Sequence, residues 1–279
     1  WIGRCSGPPQ IWRPSWAISR TITTAAGHTR HWREGCHHRQ PDQALKLSLA
    51  SMSGDDTAEA YIKRPWLPDV DQPGHQLAWS GTITAIQPRI RLTRSFDEQS
   101  HAYLGYLLRI EGTLDERSEF RVGVGPGAHA KHQFRIGDQV EAVGQRVTDQ
   151  RLEVADLYKV NKLKILRRGE APTAQAPWNG VPPALPVHRE RGHRRLAGKP
   201  CEAKCQTCIR GCAMPVELII DHWNPGRVRY RTETFCYGPL SCPLYKPGPT
   251  RKVPGRNGMS YEEPDWVEEN ATSHRRPDE

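Results

Sequence analysis

The stretch LAWSGTITAIQPRIRLTR (residues 77–94) decides the fold, because apolar and polar residues alternate along most of it. Alternation with a period of two puts one set of side chains on each face of a strand, so it predicts a β-strand with one buried face. Pro88 lies inside the run, and proline has no N–H to donate to a neighbouring strand. We therefore expect one long strand that bends or breaks near Pro88.

Four further runs of the same kind follow, each bounded by turn residues. Strands of this length and spacing, with no long helical period between them, are typical of a small closed or partly open barrel, whose closure removes exposed sheet edges. The predicted fold class is therefore mainly β, with a five-stranded barrel over residues 75–166. The four later runs are Tyr103–Leu114, Glu119–Gly125, Ile136–Val147 and Asp156–Leu166.

The fourth and fifth runs carry a resemblance to a known superfamily. The Ile136-Gly137-Asp138 turn leads into the alternating run Val140–Gly144, and a closing strand follows around Tyr158–Val160. This pattern resembles the OB-fold nucleic-acid-binding superfamily over residues 75–166. The resemblance implies a module that binds single-stranded nucleic acid or oligosaccharide. It also implies that the connection between the third and fourth strands, Pro126–Arg135, often includes a helix.

Basic and aromatic residues with matching parity on the first three strands suggest a ligand-binding face. Arginine can pair with phosphates, and an aromatic ring beside it can stack on a base. The alternative is that these side chains are simply the solvated face of the sheet, where arginine is common. The residues predicted to bind nucleic acid are Arg89, Arg91, Tyr103, Arg109 and Arg121.

Six of the eight cysteines fall within residues 201–242, and this clustering is the strongest chemical signal in the sequence. The first four are spaced C-x3-C-x2-C-x3-C, as in sites that hold zinc or an iron-sulfur cluster. The runs Val216–Ile220 and Arg227–Phe235 predict a β-hairpin that returns the last two cysteines toward the first four. All six are predicted metal ligands: Cys201, Cys205, Cys208, Cys212, Cys236 and Cys242.

Three occupants of this site remain open. The first is zinc, bound by a Cys205/Cys208 knuckle together with Cys236 and Cys242. The second is a 4Fe-4S cluster held by Cys201, Cys205 and Cys208 with a fourth thiolate from Cys212, Cys236 or Cys242. Disulfides are the third. The cysteine-rich segment also resembles uncharacterised bacterial proteins, a likeness that implies no activity.

The remaining segments look less regular. Residues 1–51 show no period and precede the first methionine, Met52, so we expect a non-native or disordered extension followed by an N-terminal segment, 52–74. Residues 167–200 are rich in proline, alanine and arginine, with seven basic and two acidic residues, and predict a flexible basic linker. Residues 201–279 are expected to form the metal-binding module, with an irregular tail.

Composition narrows the function. A membrane-spanning helix needs roughly 18 or more consecutive apolar residues, and no run approaches this length. The start also lacks the pattern of a secretory signal. We therefore expect a cytoplasmic bacterial protein with no membrane partner. Recognisable catalytic motifs are lacking, which favours a binding protein over an enzyme. The predicted function is binding of single-stranded DNA or RNA, with a structural zinc. The alternative is an iron-sulfur redox or sensor protein whose barrel contacts a protein partner.

Overall fold

The structure is a computed structural model that describes residues 75–170, 175–224 and 226–278, so the predictions for residues 1–51 and 52–74 lie outside it. Within these ranges the chain is mainly β, as predicted. None of the helices there is long and apolar enough to cross a membrane. The strands are β1 (Gln76–Arg94), β2 (Gln99–Leu114), β3 (Arg117–Val124), β4 (Gln139–Arg146), β5 (Leu157–Arg167), β6 (Arg194–Arg195), β7 (Gly211–Ile219), β8 (Val228–Cys236), β9 (Lys252–Pro254) and β10 (Ser260–Glu262). The α-helices are α1 (Pro126–His132), α2 (Leu185–Arg191), α3 (Gly198–Lys204) and α4 (Asp265–Thr272), and Arg256–Gly258 form a 3-10 turn.

The first five strands close on themselves as a ring. β1 pairs with both β2 and β4, β2 pairs with β3, and β5 pairs with both β3 and β4. The contact between β3 and β5 is parallel and short, whereas the other contacts in the ring are antiparallel. Helix α1 lies in the connection between β3 and β4, where the sequence resemblance implied one. The five predicted strands are thus all present, with slightly different bounds.

Strand β1 links the ring to the rest of the molecule. It runs unbroken for 19 residues, and its pairing with β2 is irregular between Arg89 and Ile90, next to Pro88 as predicted. Its first part pairs with β4, and its last part pairs in parallel with β7, with Leu92 opposite Val216. Because β7 pairs in turn with β8, and β8 with β6, the ring and the hairpin share a single sheet.

Two apolar cores lie on this sheet. The first fills the ring and follows the alternation read from the sequence, since Ile83, Leu108 and Val140 are all fully buried. The second lies between the end of β1 and the hairpin, where Leu92, Val216 and other side chains pack together. Apolar burial stabilises each core by roughly 25 cal/mol per Å² removed from water.

The segment predicted as a flexible linker is structured where it is described. Residues 175–200 include α2, β6 and the start of α3, and they bury Leu185, His188 and Leu196. The hydroxyl of Tyr106 on β2 donates a hydrogen bond of 2.7 Å to the Pro183 carbonyl, which fixes the segment to the ring. Its apolar residues are too few to show a period, so the sequence pattern missed their burial.

The C-terminal region combines an expected hairpin with an unexpected end. Strands β7 and β8 confirm the predicted hairpin, although β7 begins earlier than predicted and includes Cys212. The predicted irregular tail instead carries the short hairpin of β9 and β10, followed by α4. Arg195 on β6 holds α4 through Glu268, at 2.8 Å between Nε and Oε2.

Candidate functional site

The structure brings together five of the six clustered cysteines from two chain segments. The first segment is α3 and the turn after it, with the Cys208 amide donating to the Cys205 carbonyl at 3.1 Å. The second is the end of β8 and the loop that follows. Cys201, Cys205, Cys208 and Cys236 share one buried cluster, and Cys242 adds a half-exposed thiol beside it.

Four of these cysteines line one small enclosed cavity. They are the set that the sequence predicted for zinc: Cys205, Cys208, Cys236 and Cys242. The cavity measures about 10 Å³, close to the room of a single water molecule, and Trp178, Leu196 and Tyr245 form its apolar walls. The knuckle and the β8 loop therefore meet around a space that bulk water does not fill.

Cys212 belongs to a different environment from the other five. It lies on β7, is fully buried in the core under the hairpin, and donates its thiol to the Pro88 carbonyl at 3.2 Å. Burial raises the pKa of this thiol far above its usual range. Cys212 thus lies in a different buried cluster from the other predicted ligands, because β7 begins at Gly211 and directs Cys212 to its core face. The metal-ligand role of the six cysteines stays a prediction.

Burial and hydrogen bonding act in opposite directions on the thiols. Desolvation, reinforced by neighbouring thiols, raises the pKa of Cys201 to about 11 and of Cys205 to about 12. Burial also raises the pKa of Cys208 and Cys236, but backbone amides oppose it, and the Gly238 amide donates to Cys236 Sγ at 3.3 Å. Protonated thiols bind a metal only by releasing their protons, and amide donors stabilise the thiolates that result.

Arginine side chains hold the loop between Cys236 and Cys242. Arg194 donates to the Pro239 carbonyl at 2.7 Å, Arg191 donates to the Tyr237 carbonyl at 3.0 Å, and Arg275 donates to the Gly238 carbonyl. Burial, followed by repulsion from Arg191, Arg194 and Arg210, lowers the pKa of Arg275 to about 10. Positive charge is thus concentrated around one side of the cysteine cluster.

The donor set fits zinc in its chemistry, although it is not arranged as a finished ligand shell. Within the described ranges, no three cysteine, histidine, aspartate or glutamate side chains stand ready to hold a metal ion. Four thiols around one cavity, amide donors and an apolar wall are nevertheless the surroundings that a tetrahedral thiolate site requires.

Arg89, one of the predicted nucleic-acid ligands, has an internal partner instead. Its guanidinium pairs with Glu153, with 2.6 Å between Nη2 and Oε2, and the two side chains are only 12% and 7% exposed. The alternation along β1 predicts the face of the strand on which Arg89 lies. It does not predict the partner, which is 64 residues away in sequence. No local pattern indicates such a pair.

Arg91 and Tyr103 are also engaged within the protein. Arg91 donates to the Leu152 carbonyl at 3.2 Å. Tyr103 is half-buried between the two cores, burial raises its pKa, and the guanidinium of Arg189 lies 4.7 Å from its ring centre. These contacts leave little of either side chain available to stack or pair with a ligand.

Arg109 and Arg121 are the predicted ligands that remain at an accessible surface. They face each other across β2 and β3 and line a cleft of about 230 Å³ between the ring and the cysteine cluster. Arg109 donates to the side chain of Gln206, and Arg121 lies 3.4 Å from Asp156. Gln206 was not predicted as a site residue, and the signal that could have identified it is its position between Cys205 and Cys208. The other lining residues used below are Gln87, Cys201, Glu202, Thr232 and Thr234.

Comparison of the chain with protein families, curated proteins and solved structures gives no match. Function therefore has to be argued from the site itself, since a fold alone does not specify one.

Proposed function

We propose that this protein binds single-stranded DNA or RNA and carries a structural zinc ion. The observation that carries the zinc proposal is that Cys205, Cys208, Cys236 and Cys242, from two segments, line one enclosed cavity. Zinc prefers four ligands in a tetrahedron, and two pairs of cysteines from separate segments are a common way to provide them. Because protein thiolates would take all four coordination positions, the zinc ion would have no open position for a substrate, as in structural sites.

The charges around the cluster support an anionic centre. Four thiolates around one divalent ion leave net negative charge, and buried charge is costly unless an opposite charge lies near it. The arginines that hold the loop after Cys236 provide that opposite charge. Arg210 adds to this support, because its buried Nε and Nη1 atoms have no hydrogen-bond partner.

The ring supports the nucleic-acid part of the proposal. Its strand order, with β1 beside β2 and β4, β3 beside β5, and α1 between β3 and β4, is the arrangement expected if the resemblance to OB-folds holds. Such folds bind single strands with a basic groove. Arg109 and Arg121 supply the basic groove in this chain. We place the protein in the cytoplasm, where thiols stay reduced and free to bind metal.

An iron-sulfur redox or sensor protein is the second candidate, and one observation favours it. Cys201 shares the buried cluster with Cys205 and Cys208, so one segment offers three thiols, with Cys236 as a remote fourth. Three closely spaced cysteines and a distant one are a typical cluster pattern. In that case the ring would mediate protein contacts.

Metal analysis of protein purified without oxygen separates the two candidates. We expect a colourless protein with one zinc per chain, and C208S should lose the metal while C212S retains it. A brown protein with iron and acid-labile sulfide would favour the second candidate. For the nucleic-acid part, a labelled oligothymidylate should bind at low salt and dissociate as salt rises. Zinc-loaded protein that binds no oligonucleotide of any sequence would refute that part.

A further inference from the structure

The geometry points to a phosphate-binding site in the cleft beside the cysteine cluster, one wall of which is the zinc knuckle. We infer that Arg109 and Arg121 hold a phosphate group of the bound strand there, and that metal binding and strand binding strengthen each other. The inference rests on the proposed function and specifies where the strand passes.

Arg109 is a cation without a matching carboxylate. Its guanidinium donates to the amide oxygen of Gln206, and among the described residues it forms no ion pair. Arg121 stands directly opposite on β3, where like charges on neighbouring strands repel. Arg121 has Asp156 as its ion-pair partner within the described part of the chain, and it shares this carboxylate with Arg117, which lies 3.6 Å from it. An anion between Arg109 and Arg121 would relieve this repulsion.

The other walls of the cleft suit a phosphodiester. Thr232 and Thr234 on β8 face the two arginines, and the Thr234 hydroxyl already donates to the Leu196 carbonyl at 2.6 Å. The Thr232 hydroxyl is therefore the one we assign to the ligand. Guanidinium groups bind phosphate oxygens in pairs, so two arginines with a hydroxyl provide a typical set of donors. Glu202 also lines the cleft, and its carboxylate repels anions, so it disfavours a ligand with many charges more than it disfavours a single phosphodiester.

The cysteine knuckle forms the remaining wall. Gln206 lies between Cys205 and Cys208, so a metal held by those two cysteines fixes the residue that orients Arg109. The ring holds the same turn from the other side, because Gln87 donates to the Cys205 carbonyl at 3.1 Å. Cys201 lines the cleft as well. A ligand that binds the ordered cleft therefore favours the metal-bound state, and by linkage the metal favours the ligand to the same extent.

The first test measures the binding of a labelled oligothymidylate over a range of salt concentrations. The double variant R109A/R121A should bind every sequence more weakly, and its plot of log K against log salt should be shallower by about 0.7, for the loss of the one phosphate that both arginines contact. The matched control is R146A, which removes an arginine paired with Asp115 elsewhere on the ring. A double variant with the affinity and salt slope of wild type would overturn the inference.

The second test concerns the metal link. Removing zinc should weaken oligonucleotide binding by wild type, and the loss should be clearly smaller in R109A/R121A, because both changes act on one site. Q206A should keep its zinc yet bind with a reduced salt slope. Fully additive losses, or Q206A with wild-type binding, would show that the knuckle does not support the cleft.

Inorganic phosphate, compared with chloride at the same ionic strength, distinguishes a free phosphate from a phosphate of the strand. We expect phosphate to compete weakly with the oligonucleotide in wild type and not in R109A/R121A. Tight phosphate binding without competition would overturn the strand assignment. If zinc-loaded wild type binds no oligonucleotide, the nucleic-acid part of the proposed function and this inference are both refuted. Normal binding by wild type and variant alike would remove this inference alone. Circular dichroism and zinc content verify that each variant is folded.

Discussion

The ring and the cysteine-rich region bury different kinds of side chain. The ring encloses aliphatic and aromatic residues such as Ile83, Leu108 and Phe134, all of them fully buried. Around the cysteine cluster, the buried groups are mainly thiols and guanidiniums, with Leu196 as the principal aliphatic residue. The ring can therefore be stabilised by apolar burial alone, whereas the cysteine cluster needs a further source of free energy.

Both regions also contain buried polar groups. In the ring, Asp138 is fully buried, and its carboxylate accepts from the Gly169 amide at 2.8 Å and from Arg168 at 3.1 Å. In the cysteine-rich region, Arg210 has buried nitrogen atoms without a partner. Buried donors left unpaired usually cost about 1–3 kcal/mol. The ring has such atoms as well, for example Trp79 Nε1, so the two regions differ in the kind of side chain that they bury rather than in whether every buried donor is paired.

The largest effect we expect is on the cysteine-rich region when zinc is removed or Cys208 is replaced by serine. Structural zinc contributes up to about 10–16 kcal/mol of folding free energy in small zinc domains. Hydrogen exchange of residues 198–245 should therefore rise strongly while exchange in β2 and β3 changes little. C212A should keep both zinc and protection. Equal loss of protection in the ring would show that the two regions fold as one unit.

The next effect is on the ring, from Arg89→Ala. This change leaves the Glu153 carboxylate buried without its cation, so we expect the free energy of unfolding to fall by about 3–5 kcal/mol. Urea denaturation with a ring-specific probe, such as Trp79 fluorescence, would measure it. The double variant R89M/E153L should recover much of the loss. If R89A instead keeps its stability but loses oligonucleotide affinity, the ligand role predicted from the sequence is correct.

The third effect is a dependence of stability on pH, and it comes from His193, which lies between the two regions. Burial, then repulsion from His101, Arg94 and Arg251, lowers the pKa of His193 to about 3. Above the unfolded value, about 6.5, the histidine is neutral in both states and contributes no pH dependence. Between about pH 6.5 and 3, His193 is protonated in the unfolded chain but stays neutral in the folded chain. The free energy of unfolding therefore falls as pH falls.

For His193 that loss amounts to about 2 kcal/mol between pH 6.5 and pH 5, since each pH unit corresponds to roughly 1.4 kcal/mol. Urea denaturation at several pH values should show a shallower dependence for H193Q than for wild type. H222Q, at a half-exposed position, serves as the control for the loss of a histidine outside this buried group. An identical pH dependence in H193Q and wild type would contradict the assignment.

The smallest effect should come from Lys164→Ala on the outside of the ring. Lys164 pairs with Glu141 at 3.1 Å, but the side chains are 70% and 41% exposed. Exposed pairs of this kind contribute about 0–1 kcal/mol. Thermal denaturation should therefore barely change. A large loss of thermal stability would contradict the exposed position of this pair and would mean that Lys164 makes buried contacts.

The sequence allowed the ring to be predicted because its information is local. Alternation along each strand identifies the buried face, and Pro88 marks one of the two irregular points in the pairing of β1 with β2; the other, between Ile83 and Ala85, has no such mark in the sequence. The convergence of two cysteine segments followed from the hairpin between them. Which strand neighbours which, by contrast, depends on contacts between distant residues, and the order came only with the structure.

The features that the sequence did not indicate share a physical cause. Cys212 was grouped with its neighbours because spacing does not show where β7 begins, and the strand starts at Gly211 rather than at Val216, so that Cys212 lies within it. Arg89 was assigned to the surface because its partner, Glu153, follows much later in the chain. Residues 175–200 were expected to be flexible because they have few apolar side chains, yet their arginines bond to backbone carbonyls and hold them in place.

The parallel pairing of β1 with β7 sets an order of events during synthesis. All five strands of the ring have left the ribosome soon after residue 167, but Leu92 at the end of β1 is covered only when Val216 follows. At about 5–20 residues per second, that interval lasts several seconds. During it the nascent chain carries an open strand edge and an uncovered apolar end, so slower translation of residues 168–216 should increase its capture by chaperones.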